Sequence, residues 1–191
     1  MIKECNIVGA GPSKSSFEKN DLVTIQCNFL WTHDVDFCIA LDPIVPLKML
    51  DNPDLLPSHV KLIISKFAKQ HITALNRYQE LTPKLEAVFN ITEGNMERKR
   101  STGHYAAEYM ISQGYNKLNL YGFDNWFGDK LCIDNWTHTK NTPHYVYVEA
   151  YDEPNTFTQK IPELMERSKF WNDQWQLLIT KHSDVEFNFI P

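Results

Sequence analysis

Seven short apolar runs, separated by turn-forming residues and helical stretches, constrain the fold of this chain most strongly. They are rich in β-branched and aromatic residues and are bounded by Gly, Pro, Asn or Asp, which is typical of strands. Several are apolar on both faces, as expected for parallel strands that helices cover on both sides. The predicted strands are Ile2–Val8, Leu22–Cys27, Asp36–Leu41, Val60–Ser65, Leu85–Asn90, Lys117–Tyr121 and Val185–Ile190.

Two stretches between these runs have clear helical periodicity. Thr102–Gln113 is followed by Gly114 in the position of a C-terminal cap. A second helix is predicted from about Gln159 to Lys181, because one face of it repeats large apolar residues that indicate core packing. These residues are Leu164, Trp171, Trp175 and Leu178. Strands alternating with helices predict one Rossmann-like domain over residues 1–191, a three-layer α/β/α sandwich with a mostly parallel sheet.

Composition and charge narrow the class of protein further. The chain has 191 residues, enough for a sizeable core, and a formal charge of −5 that disfavours a general nucleic-acid binder. No run approaches the roughly 18 apolar residues of a membrane span. The N-terminus lacks the pattern of a secretory signal, and the four cysteines show no C-x-x-C spacing. We therefore expect a cytoplasmic protein with reduced thiols.

Residues 125–154 break the alternation of strands and helices. The stretch is rich in aromatic and polar residues and has no clear period. A segment of this length in a compact domain is usually a functional lid or a disordered segment. Its aromatic content favours a lid-like insertion that orders over a ligand.

The loop after the first predicted strand reads Gly9-Ala10-Gly11-Pro12-Ser13. Its two glycines remove Cβ atoms where the chain leaves the sheet, so that backbone N–H groups could approach an anion closely. The spacing fits neither G-x-G-x-x-G nor a Walker A loop. A plain tight turn is the alternative interpretation.

A second anion-binding segment is predicted at the start of the helix near residue 102. Ser101 or Thr102 is a natural N-cap whose oxygen accepts from the first turn, and Gly103 leaves that turn open. A helix N-terminus carries partial positive charge and free donors, and the basic run 98–100 precedes it. The alternative is ordinary capping beside a solvated basic run.

The end of the sixth predicted strand carries a third group of candidates. Asp124 would project at the carboxyl edge of the sheet, and Trp126 could stack on a base or a sugar. The alternative interpretation of this segment is a turn that ends the strand and contains a buried aromatic residue.

The histidines divide into two groups. His138 and His144 lie in the predicted lid and could act as a general base near neutral pH. The remaining histidines are more typical of surface or capping positions: His33, His59, His71, His104 and His182. No pair has metal-ligand spacing, so no metal site is predicted.

Together these segments resemble bacterial sialyltransferases of glycosyltransferase family 42 and related sialyltransferase-like phage proteins. The similarity rests on the loop at residues 9–13, Cys27-Asn28, Asp42-Pro43, Ser101-Thr102-Gly103 and the stretch GYNKLNLYGFD at 114–124. It implies a pocket for a CMP-activated sugar lined by the opening loop, Asn28, Asp42 and residues 101–103. It also implies a lid that supplies tyrosines and a histidine base.

The chain departs from the family pattern at several positions. Ala10 replaces a loop Asn, Phe29 follows Asn28 where the family has Gln, and Trp126 replaces a lid tyrosine. Residues 151–157, where the family's base is expected, contain no histidine. His144 and then His138 are the nearest substitutes, and Asp152 or Glu153 would be a poor match to neutral pH.

The predicted function is a sugar-nucleotide-dependent glycosyltransferase that uses a CMP-type donor, needs no metal and modifies a glycan or another hydroxyl acceptor. One alternative is a Mg²⁺-dependent pyrophosphokinase-like transferase, for which Asp42 and Asp124 are the placed acidic residues. The other is a non-catalytic phage-type accessory or structural protein that keeps a nucleotide-binding fold.

Overall fold

The structure is a computed structural model. It describes residues 2–9, 11–28, 32, 34–90, 100–123 and 161–191, and of residues 12 and 161–168 it describes the backbone only.

Seven parallel strands form one sheet, and every predicted strand contains an observed one. The order across the sheet is β5-β4-β3-β2-β1-β6-β7, and each neighbouring pair is parallel. The strands are β1 (Glu4–Val8), β2 (Val23–Cys27), β3 (Phe37–Ala40), β4 (Lys61–Ser65), β5 (Leu85–Phe89), β6 (Lys117–Tyr121) and β7 (Glu186–Ile190).

Five helices flank the sheet in the described part of the chain. They are α1 (Ile44–Asp51), α2 (Lys66–Ala74), α3 (Tyr78–Leu81), α4 (Thr102–Ser112) and α5 (Ile161–Lys181), with short 3₁₀ turns at Pro12–Ser16, Pro53–Leu55 and Thr82–Lys84. The two predicted helices are confirmed as α4 and α5. Gly114 after α4 has φ +84°, the left-handed backbone expected just beyond a helix end. Helices α1 to α3 are too short for their periodicity to identify them in the sequence.

Alternate side chains of the strands build a separate core on each face of the sheet. On one face α4 and α5 pack against the sheet, and the buried residues of this core include Ile7, Ile25, Ile39, Met110 and Trp175. On the other face α1 and α2 pack against the sheet, and the buried residues of this core include Cys38, Leu62, Ile64, Ala68 and Ile72. The predicted three layers with a parallel sheet are therefore present.

A row of polar side chains crosses β2, β1, β6 and β7 on the face of the sheet opposite α4 and α5. Thr24, Asn6, Asn119 and Asn188 occupy one register position on β2, β1, β6 and β7. Asn188 donates to Asn119 over 3.2 Å, Asn119 donates to Asn6 over 3.3 Å, and Asn6 donates to Thr24 over 3.3 Å. Asn6 and Thr24 are fully buried, so these bonds satisfy amide and hydroxyl groups that water does not reach.

The described cysteines form no disulfide and are buried, in agreement with their scattered positions in the sequence. Cys5, Cys27 and Cys38 are free and buried. Burial raises the pKa of Cys5 and Cys27 to about 12, so both stay protonated at neutral pH. No helix in the described part of the chain is long and apolar enough to cross a membrane.

The strand order contains one point where the direction of winding reverses. The chain leaves β1, proceeds outward to β5, and then returns to place β6 on the other side of β1. In parallel α/β sheets, ligands bind outside the carboxyl ends of the strands at such a switch point. The carboxyl ends of β1 and β6 therefore mark the expected position of a site.

We predict that Asn6→Ala lowers the free energy of unfolding by about 2 kcal/mol, because it leaves buried partners in the polar row unsatisfied. Asn188→Ala, at the half-buried end of the same row, should cost only about 0.5 kcal/mol. Urea denaturation of both variants measures the difference. Equal losses would show that burial does not strengthen this row.

Candidate functional site

The ring of Phe123 joins the two segments that the sequence predicts to share a site. A Cβ built on Gly9 would lie 3.2 Å from Phe123 Cζ, and one built on Gly103 would lie 2.0 Å from Phe123 Cε1. The opening loop and the start of α4, about ninety residues apart in sequence, therefore contact the same buried ring. Both lie at the carboxyl end of β6, at the switch point.

The glycines of the opening loop serve the approach of β6 to β1. The Gly9 N–H donates to the Tyr121 carbonyl over 2.7 Å, and the Gly11 N–H donates to the Gly122 carbonyl over 2.9 Å. A Cβ on Gly9 would lie only 2.6 Å from the Gly122 oxygen. The N–H groups of Gly9 and Gly11 are thus not available to an anion, and the tight-turn interpretation holds for them.

Ser13 is also engaged within the protein. Its hydroxyl accepts a hydrogen bond of 3.0 Å from the Gly122 N–H, and its side chain is almost fully buried. Pro12 begins the 3₁₀ turn that carries Ser13, and Ala10 lies outside the described residues. The ligand-binding roles predicted for these three residues stay predictions.

The first turn of α4 differs from its prediction in two ways. Ser101 occupies the N-cap position but makes no side-chain cap; its Oγ lies 2.7 Å from His104 Nδ1 instead. The space beside Gly103 is not open, because the ring of Phe123 fills it. Thr102 is buried at the first helical position. The Ser101 hydroxyl thus caps none of the first-turn N–H groups, although the His104 N–H donates to the Ser101 carbonyl over 3.0 Å. The start of the helix keeps its partial positive charge.

His104 is a core residue, not the surface or capping residue that was expected. It is fully buried and stacks on Trp175 of α5, with ring centroids 4.1 Å apart. Its Nε2 lies 3.0 Å from the Trp171 carbonyl oxygen. Burial lowers its pKa to about 4, so the ring is neutral at physiological pH. Its spacing of three residues from Ala107, an apolar residue of the same predicted helix, was the signal in the sequence for a core position.

Arg100, the described member of the basic run, is paired within the protein. Its guanidinium makes two hydrogen bonds, of 2.9 and 2.7 Å, to the carboxylate of Glu108 and lies over the ring of Tyr105. A bidentate pair of this kind holds the cation along the side of α4. Arg100 is therefore not a free phosphate ligand in this structure.

Asn28 lies at the carboxyl end of β2 in an unusual backbone conformation. Its φ is +63°, its N–H donates to the Ile39 carbonyl over 2.8 Å, and its own carbonyl accepts from the Cys38 thiol over 3.0 Å. The side-chain Oδ1 is buried and has no hydrogen-bond partner in the part of the chain that the structure describes. Asp42 is half-buried between β3 and α1. Both residues thus occupy the edge of the sheet at which the site was predicted.

The remaining predicted residues cannot be compared with the structure. Asp124, Trp126, His138, His144 and the lid-like stretch 125–154 lie outside the described residues. Among the residues that are described, no group of three or more His, Cys, Asp or Glu side chains could hold a metal ion.

A separate open cavity of about 650 Å³ lies between α2 and β5. Lys66, Lys69 and Gln70 contribute to its lining, together with Val88 and Phe89. None of the predicted site residues lines it, so it is distinct from the corner at the switch point.

The fold and the corner at β1 and β6 define a Rossmann-like α/β protein with its candidate site at the switch point of a parallel sheet. Neither a family model, nor a curated protein, nor a solved structure matches the chain. A functional assignment therefore depends on the chain's own residues.

We predict that Gly103→Ala destabilises the protein by about 3 kcal/mol, because the new methyl group overlaps the Phe123 ring. Gly114→Ala is the control: it meets no atom within 4 Å and should cost only about 1 kcal/mol for its left-handed backbone. Chemical denaturation measures both. In a Gly103→Ala background, Phe123→Leu should recover part of the lost free energy of unfolding. If the two substitutions instead lower it by the sum of their separate effects, the proposed overlap is contradicted.

We also predict that His104 makes the protein sensitive to acid. Its pKa is about 4 when folded against an ordinary value of 6.5, so the unfolded chain takes up the proton first as pH falls. The neutral His104 contributes roughly 3 kcal/mol to the free energy of unfolding. This contribution is fully present above pH 6.5 and is lost as the pH falls to about 4.

The measurement is the free energy of unfolding between pH 7 and pH 4 for the native chain and for His104→Gln. The pH dependence should be flatter in that variant. His71→Gln, at an exposed position, controls for loss of a histidine as such. Identical pH profiles for the native chain and His104→Gln would refute the prediction.

Proposed function

We propose that this protein binds a nucleotide-sugar donor at the switch point between β1 and β6 and transfers the sugar to an acceptor hydroxyl. The observation that carries the proposal is the meeting of the opening loop, the end of β6 and the start of α4 around Phe123. This corner combines the usual ligand position of a parallel sheet with a helix N-terminus whose N-cap serine makes no side-chain cap.

The side-chain oxygen of Asn28, which has no partner among the described residues, supports a ligand beside this corner. A buried acceptor without a partner is costly, and such groups in folded proteins normally receive a donor from protein, water or ligand. A ribose hydroxyl or the amino group of a base could donate the hydrogen bond that this oxygen lacks. The resemblance to family 42 independently implies that Asn28 and Asp42 line a nucleotide-sugar pocket.

The proposed reaction needs no group outside the donor, the acceptor and this chain. The acceptor oxygen attacks the anomeric carbon, the bond from that carbon to the phosphate oxygen breaks, and the acceptor proton passes to a base. His144 and His138 are the proposed bases. The negative charge that develops on the leaving phosphate is stabilised by the partial positive charge at the start of α4, beside Thr102.

We expect CMP to raise the melting temperature without added metal. A ligand present at one hundred times its Kd stabilises the folded state by about 2.7 kcal/mol, which corresponds to roughly 5–10 °C for a chain of this size. Differential scanning fluorimetry with CMP, with CMP and Mg²⁺, and with a nucleoside triphosphate and Mg²⁺ measures this shift.

Asn28→Gly tests the site within the same experiment. Asn28 and Asn76 both have positive φ, 63° and 58°, so glycine is tolerated by the backbone at either position. Asn28→Gly should weaken CMP binding about tenfold through loss of its side-chain contact. Asn76→Gly, which follows α2, should bind CMP as the native chain does.

The other outcomes distinguish the alternatives. Stabilisation only by a triphosphate with Mg²⁺ would favour a phosphotransferase, and no response to any nucleotide would favour a non-catalytic protein. If CMP binds, donor turnover by His144→Ala and His138→Ala identifies the base. Unchanged turnover in both variants would exclude histidine from that role.

A further inference from the structure

Two helices of this fold start with a serine at the N-cap, but the two hydroxyls behave differently. Ser65 caps α2 in the ordinary way, since its Oγ accepts from the Ala68 N–H over 2.9 Å. Ser101 does not cap α4; its Oγ lies 2.7 Å from Nδ1 of His104. Ser101 is half-buried at the candidate site, whereas Ser65 is fully buried.

The partners of His104 determine which way the Ser101 hydrogen bond runs. The Trp171 carbonyl oxygen, 3.0 Å from Nε2, can only accept, and it favours a proton on the ring more strongly than the Ser101 carbonyl does, so we assign the proton to Nε2. The fully buried ring is neutral at physiological pH, which leaves Nδ1 without a proton. Nδ1 is then an acceptor, and the Ser101 hydroxyl must donate its only proton to it.

The ring of His104 is held in this orientation. It stacks on Trp175, and Trp175 in turn contacts the rings of Phe123 and Phe189 edge-on, at centroid distances of 5.5 and 5.3 Å. Turning the ring over would place carbon atoms opposite the Trp171 oxygen and the Ser101 hydroxyl, and both hydrogen bonds would be lost. The donor role of Ser101 is thus fixed by α5 through His104.

We infer that Ser101 presents only lone pairs to a ligand, so that it takes a hydroxyl or N–H group of the sugar or nucleoside and not a phosphate oxygen. His104 is then a positioning residue that determines this preference. The identity of the ligand rests on the proposed function, whereas the direction of the hydrogen bond does not. The inference also refines the expectation from the sequence that residues 101–103 form an anion-binding segment, because the Ser101 hydroxyl is not available to donate to an anion.

The first experiment determines the hydrogen-bond direction in the free protein. Two-bond ¹H–¹⁵N correlation NMR at pH 7 should show His104 protonated at Nε2 only. In Ser101→Ala the Nδ1 resonance should move further toward the value of a nitrogen that accepts no hydrogen bond. A proton on Nδ1, or no change in Ser101→Ala, would overturn the inference.

The second experiment determines which part of the ligand Ser101 contacts. Calorimetric titration with cytidine and with CMP gives a Kd for each, in the native chain and in Ser101→Ala. If Ser101 accepts from the nucleoside, the variant should lose about tenfold in affinity for both. A loss confined to CMP would mean that Ser101 contacts the phosphate, and affinities unchanged for both ligands would mean that it contacts neither; each result overturns the inference.

A pair of variants separates positioning by His104 from its structural role. In His104→Asn the side-chain oxygen can replace Nδ1 as the acceptor for Ser101, while in His104→Gln the amide nitrogen can replace Nε2 as the donor to Trp171. Both remove the buried ring, so urea denaturation should show similar losses of stability. CMP and cytidine should bind His104→Asn within about threefold of the native chain and His104→Gln about tenfold more weakly. Equal affinities in the two variants would overturn the positioning role.

Failure of the proposed function gives a different result. If neither cytidine nor CMP binds while NMR shows the Nε2 proton and the response to Ser101→Ala, the nucleotide-sugar proposal fails and the acceptor role of Ser101 stands. If CMP binds but Nδ1 carries the proton, the proposed function stands and this inference fails.

Discussion

The packing of Phe123 between Gly9 and Gly103 is the contact on which the geometry of the candidate site depends. Glycine at both positions lets the ring lie against backbone, and β6 can then approach β1 closely enough for the Gly9 and Gly11 hydrogen bonds. The start of α4 is held to the same ring. The site corner is therefore built on a rigid aromatic contact, with the polar groups arranged around it.

A chain of contacts extends from this corner to the far helix of the same layer. Ser101 is hydrogen-bonded to His104. The His104 ring is in turn hydrogen-bonded to the backbone carbonyl of Trp171 and stacked on Trp175. The polar atoms of the ring are satisfied at both nitrogens, as is required in a fully buried position. Helix α5 thus determines how a hydroxyl at the start of α4 can interact with a ligand, although α5 itself belongs to the core.

Several groups that look suited to anion binding are used by the protein itself. The amides of Gly9 and Gly11 pair with the end of β6, Ser13 accepts from Gly122, and Arg100 pairs with Glu108. In the described part of the corner, the unpaired Asn28 oxygen and the start of α4, which lacks a hydroxyl cap, are the features left for a ligand. The described site is therefore better suited to recognising hydrogen-bond donors of a ligand and one anionic group. It is less suited to enclosing a phosphate with many backbone amides.

The sequence by itself determined the seven strands, the two long helices and the parallel three-layer class, because apolar periodicity and turn residues are local and are read directly from neighbouring letters. It also placed Asn28, Asp42 and Ser101 at the carboxyl edge of the sheet, since these residues follow strand ends or precede a helix. Only the tertiary structure decided which partner each of these groups has. The space beside Gly103 is filled by Phe123, and the hydroxyl of Ser101 is directed by His104, whose ring is fixed by a helix nearly seventy residues away. Such pairings depend on three-dimensional packing between distant segments, which the pattern of any one segment does not contain.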